Sequence, residues 1–210
     1  MGDGLSFDGS NFTLDGDVVV AARSLLGGVL RRGPVAVRIC EVEAYDGLVD
    51  PASHAYNGKT DRNYVMFGPA GHLYVYFTYG MHHACNVSAG PVGHGCGVLM
   101  RAGEVISGIE EARERRGSRI ADRDLARGPG RLAQALGITR SDNGVDLLNG
   151  GDISLTPADR PPTKISSGPR VGITKAVDLP WRFWITDDSY VSAFRPGIIR
   201  ARSARTSRSE

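Results

Sequence analysis

Long hydrophobic runs are missing from this chain of 210 residues: none approaches the roughly 18 apolar residues of a membrane-spanning helix. Met1 to Ser10 is acidic and glycine-rich, with neither the basic start nor the apolar stretch of a secretory signal. Cysteine is scarce. The three present (Cys40, Cys85, Cys96) are an odd number, unlike a disulfide framework, so a reducing compartment is the expectation. None of them forms a Cys-x-x-Cys pair, and the histidines lack His-x-x-x-His spacing. His82, His83 and Cys85, with His94 and Cys96 following, are therefore weak metal candidates, and no metal or cofactor is expected. A phosphate-binding glycine-lysine loop and a nucleophile elbow are also missing. Basic and acidic residues nearly balance at 25 and 23, and a net charge of +2 does not by itself imply a nucleic-acid partner.

Aromatics are few (7%) and glycines many (28), which points to tight turns and a β-containing fold. Against that background, Glu41-Val-Glu-Ala-Tyr45 stands out. Val35 to Cys40 has the apolar, β-branched character of a strand, interrupted only by Arg38. Alternation along it puts Glu41, Glu43 and Tyr45 on one face, with Cys40, Val42 and Ala44 on the other. A buried carboxylate without a partner is costly. The pair either meets arginines structurally or lines a site where a carboxylate does chemistry, and spacing leaves both readings open.

The rest of the chain reads as one domain without internal repeats. Leu14 to Gly28 predicts a helix with an aspartate cap and a glycine stop. Asp46 to Asn63 is a long polar loop. Gly71 to Thr78, Ala84 to Ser88 and Cys96 to Ala102 predict strands, the last two joined by the glycine-rich Gly90 to Gly95. Val105 to Arg116 predicts a helix, as does Pro129 to Leu136 with proline in its first turn. Asp146 to Thr186 alternates short strands with turns. The class is mixed α/β: one domain over residues 1–200 with a curved, largely antiparallel β-sheet flanked by helices, then a flexible basic tail over 201–210.

Seven arginines between Arg113 and Arg131 suit either a solvated helix, paired as Glu110 with Arg113 and Glu111 with Arg115, or a phosphate-binding surface. Lys59 and Arg62 form a second basic cluster. Tyr45, Tyr74, Tyr76 and Tyr79 gather on or beside the two best strands, where they either pack or hold a flat ring. Tyr79 can act beside Tyr76 only if the chain turns at Gly80 and leaves it at a projecting tip.

These residues, in order, carry a resemblance. Glu41-Val-Glu-Ala-Tyr45, His54, Arg62-Asn-Tyr-Val-Met-Phe67, Leu73-Tyr-Val-Tyr-Phe-Thr-Tyr-Gly-Met81, Cys85-Asn-Val-Ser88 and Leu99-Met-Arg-Ala102 resemble the alkyladenine (3-methyladenine) DNA glycosylase family. Gly128 to Leu136, Gly168 to Ile173 and Arg182-Phe183 continue the likeness, which spans about residues 15 to 195.

The resemblance implies a repair enzyme that flips a damaged purine out of duplex DNA and hydrolyses its N-glycosidic bond without a lyase step. Glu43 matches the general base and Arg101 the arginine that holds it. Tyr45, Tyr76 and His54 match the walls around the flipped base, and Asn86 the position that disfavours normal guanine. Tyr79 matches the intercalating tyrosine. Lys59 and Arg62, and Arg131 at a helix N-terminus, are candidate ligands of the DNA backbone. The implied partner is double-stranded DNA bearing alkylated, or also deaminated or etheno, purines, met by a monomer away from any membrane. The implied location is the bacterial cytoplasm beside the nucleoid, or a eukaryotic nucleus. Two departures stand out: Gly90 to Gly95 is longer than the family pattern, and His82 and His83 stand where the pattern implies more apolar or aromatic residues. The rival reading is a non-catalytic nucleic-acid-binding module of the same fold.

Overall fold

The apolar stretch that begins at Val35 forms an eleven-residue strand, Val35–Tyr45 (β2), around which the sheet is organised. A computed structural model describes residues 12–78 and 80–197. The basic tail, residues 201–210, and Tyr79 lie outside the described residues. The elements are a helix Val18–Ser24 (α1), a strand Val29–Arg32 (β1), β2, strands Leu73–Thr78 (β3), His82–Ala89 (β4) and Cys96–Ser107 (β5), helices Ile109–Arg116 (α2) and Pro129–Leu136 (α3), and three short strands Ile153–Thr156 (β6), Ile165–Gly168 (β7) and Arg182–Ile185 (β8). Every strand pairing is antiparallel. The sheet runs β3-β4-β5-β2 and then forks. The first half of β2 carries β1 and β6, whereas Glu41 to Glu43 carry β8 and, beyond it, β7. The α/β class and the antiparallel sheet match the reading of the sequence.

Residues Val35, Val37 and Ile39 enter the main core, yet so do Val42 and Ala44. Strict alternation cannot produce that pattern. The ladder between β2 and β5 resolves it: Ile39 faces Gly103, Glu41 faces Ala102 and Val42 faces Met100. Cys40 is therefore an extra residue in β2 and Arg101 an extra residue in β5. These two bulges change the parity of the core face and curl the pair, and a third shift between Ala36 and Val37 leaves Ile106 extra in β5. The apolar half of β2 thus points to one side of the sheet, and Glu41, Glu43 and Tyr45 point to the other. Helices α1 and α3 supply Ala21, Ala22, Leu132, Ala133 and Leu136 to the main core. On the opposite side a smaller cluster of Ala55, Val65, Met66, Phe67 and Tyr74 seats the loop that follows β2.

Helix α1 is shorter than expected and is capped by Asp17, whose side chain accepts from the amides of Val19 and Val20. One expectation fails outright. Val105 to Ser107 extend β5 and do not begin a helix, because Val105 and Ser107 find partners in Val37 and Ala36. Two β-branched residues beside an open ladder favour the strand. Gly108 then turns the chain at φ +66°, where a Cβ would meet the Pro34 carbonyl oxygen at 2.6 Å, and only afterwards does α2 start. The α2 arginines mostly serve the fold. Arg113 pairs with Glu110 and Asp122, while Arg115 donates to the Ala135 carbonyl and Arg116 to that of Leu125. The expected Glu111–Arg115 pairing thus gives way to a contact that ties α2 to α3. Among the described residues no helix is long and apolar enough to cross a membrane.

The bulged ladder leaves no room at Gly103, where a Cβ would stand 2.3 Å from the Arg38 carbonyl oxygen and 2.5 Å from a Val37 methyl. Gly103→Ala should lower unfolding free energy by roughly 1–3 kcal/mol in urea titration. A change below about 0.5 kcal/mol, the range of an unconstrained surface site, would show that the strands are looser than described.

Candidate active site

The bulges set a row of side chains across four strands on one face of the sheet. Glu43 in β2 faces Leu99 in β5, Leu99 faces Asn86 in β4, and Asn86 faces Tyr74 in β3. One step along, Tyr76 faces Ala84. These residues floor a cavity of about 350 Å³, which Tyr45, His54, Met66, Arg101, Pro129 and the segment Val171 to Ile173 enclose. That size lies at the small end of pockets that hold organic ligands.

Glu43 is fully buried, and each of its carboxylate oxygens is held. Oε2 accepts from the Tyr45 hydroxyl at 2.8 Å, Oε1 accepts from the Val171 amide at 2.7 Å, and Arg101 Nη1 lies 3.3 Å from Oε1. Glu41, equally buried, is more fully engaged. It accepts from Arg101 Nε at 2.9 Å, Arg182 Nε at 2.7 Å, and the Ser192 hydroxyl and amide at 3.0 and 2.6 Å. Arg101 therefore bridges the two carboxylates and sits closer to Glu41. Burial opposes its charge, but Glu43 and Glu41 outweigh that, and its pKa is raised. The two carboxylates differ in what they face: Glu43 lines the cavity, and Glu41 does not.

The aromatic walls are braced from behind. Arg170, fully buried, makes a bidentate pair with Asp50, donates to the Ala44 carbonyl at 2.9 Å, and lies 4.6 Å from the centre of the Tyr45 ring and 5.4 Å from that of Trp181. It does not line the cavity, so it supports Tyr45 from the protein side. His54 meets the edge of Tyr76 with ring centres 4.5 Å apart, and its Nδ1 lies 3.1 Å from the Tyr74 hydroxyl. Asn63 holds the His54 carbonyl with its side-chain amide at 2.8 Å. The Asn86 amide donates to the Tyr74 carbonyl at 3.1 Å. Burial, then Glu43, raises the pKa of Tyr45, and the same two causes raise that of Tyr76. Burial, then Arg62, lowers that of His54. At neutral pH the Tyr45, Tyr76 and His54 walls are uncharged, and Arg101 is positively charged.

The structure therefore brings together Glu43, Arg101, Tyr45, His54, Tyr76 and Asn86 from the sequence-derived set. Lys59 and Arg62 lie on the loop between β2 and β3, outside the cavity lining, and both are exposed. Arg62 nonetheless acts on both His54 and Tyr74, which places its charge near the mouth. Arg131 lies in a second cavity of about 310 Å³ with Arg127, Gly128, Ser192 and Arg195, and this cavity shares Arg101 and Val171 with the first. His82 and His83 lie apart from the base-sized cavity, where His83 packs against Phe77 at 5.1 Å. Cys85 is buried in the core, its thiol pushed by burial up to about 12. Sequence reasoning missed Arg170, Asp50, Val171 and Ser192. Their contacts to β2 span more than 100 positions, apart from Asp50, so no local pattern signals them.

Removing Arg170 leaves Asp50 buried without its cation. Arg170→Ala should cost roughly 3–5 kcal/mol in denaturant unfolding, whereas an effect near 1 kcal/mol would mark the pair as dispensable. His54 yields a pH prediction. Its pKa lies near 6.5 in the unfolded chain and lower in the fold. Between those values the unfolded chain binds the additional proton, so stability falls as pH drops through that window and levels off below the folded value. His54→Gln should flatten that stretch of the stability curve, and an unchanged slope would contradict the assignment.

The sequence pattern of the methylpurine-DNA glycosylase (MPG) family matches residues 12–189. Three relatives carry the name "Putative 3-methyladenine DNA glycosylase". That of Nocardia farcinica is 50% identical over 201 residues, covering 90% of this chain and 95% of the relative. That of Streptomyces avermitilis is 50% identical over 195 residues, covering 88% and 91%. That of Burkholderia cenocepacia is 53% identical over 165 residues, covering 78% and 80%. With the matched span containing the whole sheet and every residue around the cavity, the chain belongs to the methylpurine-DNA glycosylase family.

Proposed function

We propose that the protein is a monofunctional DNA glycosylase that excises alkylated purines flipped out of duplex DNA. The observation that carries this is Glu43: a buried carboxylate at the floor of an aromatic cavity, oriented by Tyr45, Val171 and Arg101. Three donors on a carboxylate fix its direction, as a base that must accept a proton from an attacking water requires. Its negative charge also favours the oxocarbenium-like sugar that forms as the glycosidic bond breaks. No lysine lines the cavity to form a Schiff base, in keeping with hydrolysis alone.

Tyr45, Tyr76 and His54 would stack around the extruded base, and Asn86 would crowd the exocyclic amino group of normal guanine. The walls are neutral and electron-rich, which favours a base that already carries positive charge, such as 3-methyladenine or 7-methylguanine. Hypoxanthine and ethenoadenine are neutral and must be protonated to leave. The cavity holds its tyrosines and histidine in forms poorly suited to supply that proton at neutral pH, so these purines would be secondary substrates. Tyr79 would fill the vacated stack, in line with its family match. Lys59 and Arg62 near the mouth, and Arg131 in the adjoining basic cavity, would meet DNA phosphates. The protein would act as a monomer.

Glu43→Gln should retain binding to duplex DNA containing a damaged purine but lose roughly 10²–10⁴-fold in single-turnover excision. Normal excision by this variant would sink the proposed base. A panel of duplexes, each with one lesion, should show the cationic purines released faster than hypoxanthine, and the reverse order would remove the electrostatic argument. If the wild-type chain bound lesion-bearing DNA and left no abasic site from any of them, it would be a binding module and no enzyme.

A further inference from the structure

Beyond the base-sized cavity, three unlike donors converge where the loop after β2 meets the β4–β5 turn. Asp46 Oδ1 lies 3.0 Å from His94 Nε2 and 3.2 Å from Cys96 Sγ, and the three donor atoms lie within 4.8 Å of one another. We propose that Asp46, His94 and Cys96 form a binding site for one divalent transition-metal ion of borderline softness, Zn²⁺ being the best match.

The donor chemistry makes the case. Carboxylate, imidazole and thiolate bind Zn²⁺ at about 2.0–2.3 Å, which in a tetrahedron separates neighbouring donors by about 3.3–3.8 Å. The two separations from Asp46, 3.0 and 3.2 Å, fall just short of that range, so a small outward movement of Asp46 would admit the ion, with solvent as fourth ligand. Asp46 is free for this role. It opens the short helical turn Gly47–Val49 without capping it through its side chain. Its side chain turns instead to His94 and Cys96, both from the far side of the contact.

The backbone fixes the donors independently of their mutual hydrogen bonds. Gly47 adopts φ +37°, and a Cβ there would lie 1.9 Å from the His94 carbonyl oxygen, so the two loops touch backbone to backbone. At Gly95, φ +79°, a Cβ would meet Phe67 at 2.7 Å and Ala55 at 2.9 Å. The residue between His94 and Cys96 is thus wedged into the cluster that seats the loop. In its contact with Asp46 the Cys96 thiol is the hydrogen-bond donor and so carries its proton. Metal binding replaces that proton: the S–H bond breaks, a metal–sulfur bond forms, no electrons are transferred, and the proton passes to solvent. The ion would clip the start of the 46–63 loop, which carries His54 and Asp50, to the β4–β5 turn. None of the three residues lines the base-sized cavity, and the site does not depend on the glycosylase reading.

The test uses the full chain and the metal alone. Zn²⁺ titrated into the reduced protein by calorimetry should show one equivalent bound. At a hundredfold excess over its dissociation constant it should raise the unfolding midpoint by about 5–10 °C. Co²⁺ should produce a thiolate-to-metal absorption band together with the visible bands of a tetrahedral ion. His94→Ala, at a half-exposed position that tolerates truncation, and Cys96→Ser should each weaken Zn²⁺ binding at least tenfold, and Cys96→Ser should abolish the thiolate band. The inference is overturned if the wild-type chain binds Zn²⁺ no more tightly than these variants, or if the thiolate band survives in Cys96→Ser. Excision assays on the same samples report separately on the glycosylase reading, since neither outcome with metal predicts loss of excision.

Discussion

Two buried carboxylates, two residues apart on one strand, impose the constraint from which the rest of the site follows. A buried charge must be matched by cations and donors at short range or the fold is lost. Glu41 recruits Arg101 from β5, Arg182 from β8 and Ser192 from beyond β8. That requirement explains why the sheet forks at β2: the strand needs β5 on one edge and β8 on the other to surround its acids. Glu43, joined to the same arginine, keeps one side turned to the cavity. The structural acid therefore anchors the arginine that serves the exposed one.

Local irregularity does as much as regular pairing. The extra residue Arg101 turns out of the ladder of β5 at the height of the two glutamates, and the extra residue Cys40 shifts β2 by one position. With neither bulge, Val35, Val37 and Ile39 would share a face with Glu41, Glu43 and Tyr45. The apolar core and the charged site would then compete for one side of the sheet. Bulges at active sites commonly re-aim a side chain. Here they also let a single strand serve the core with its first half and the cavity with its second.

The aromatic walls show the same economy. Tyr45 donates its hydroxyl to Glu43 and rests against Arg170, while Arg170 is neutralised by Asp50 in the loop that also carries His54. Chemistry, wall and loop are coupled through three side chains. Desolvation among these partners raises the tyrosine pKa values and lowers that of His54, so packing reinforces the neutral forms of the walls.

What the sequence by itself determined was local. The strand at Val35–Tyr45, the helix at Pro129–Leu136, the long loop after Tyr45 and the hairpin through Gly90 to Gly95 were legible because periodicity, caps and turn residues act over a few positions. The residues of the cavity were legible through the motifs that carry the family resemblance. Only tertiary structure decided that Val105 to Ser107 extend a strand, since their propensity is settled by a partner nearly seventy positions earlier. It alone separated the roles of Glu41 and Glu43. Strand alternation treats the two acids alike; what distinguishes them is which arginines, amides and open space surround each, and those neighbours come from β5, β8 and the segments beyond, brought in by the sheet and by the cost of leaving a charge alone.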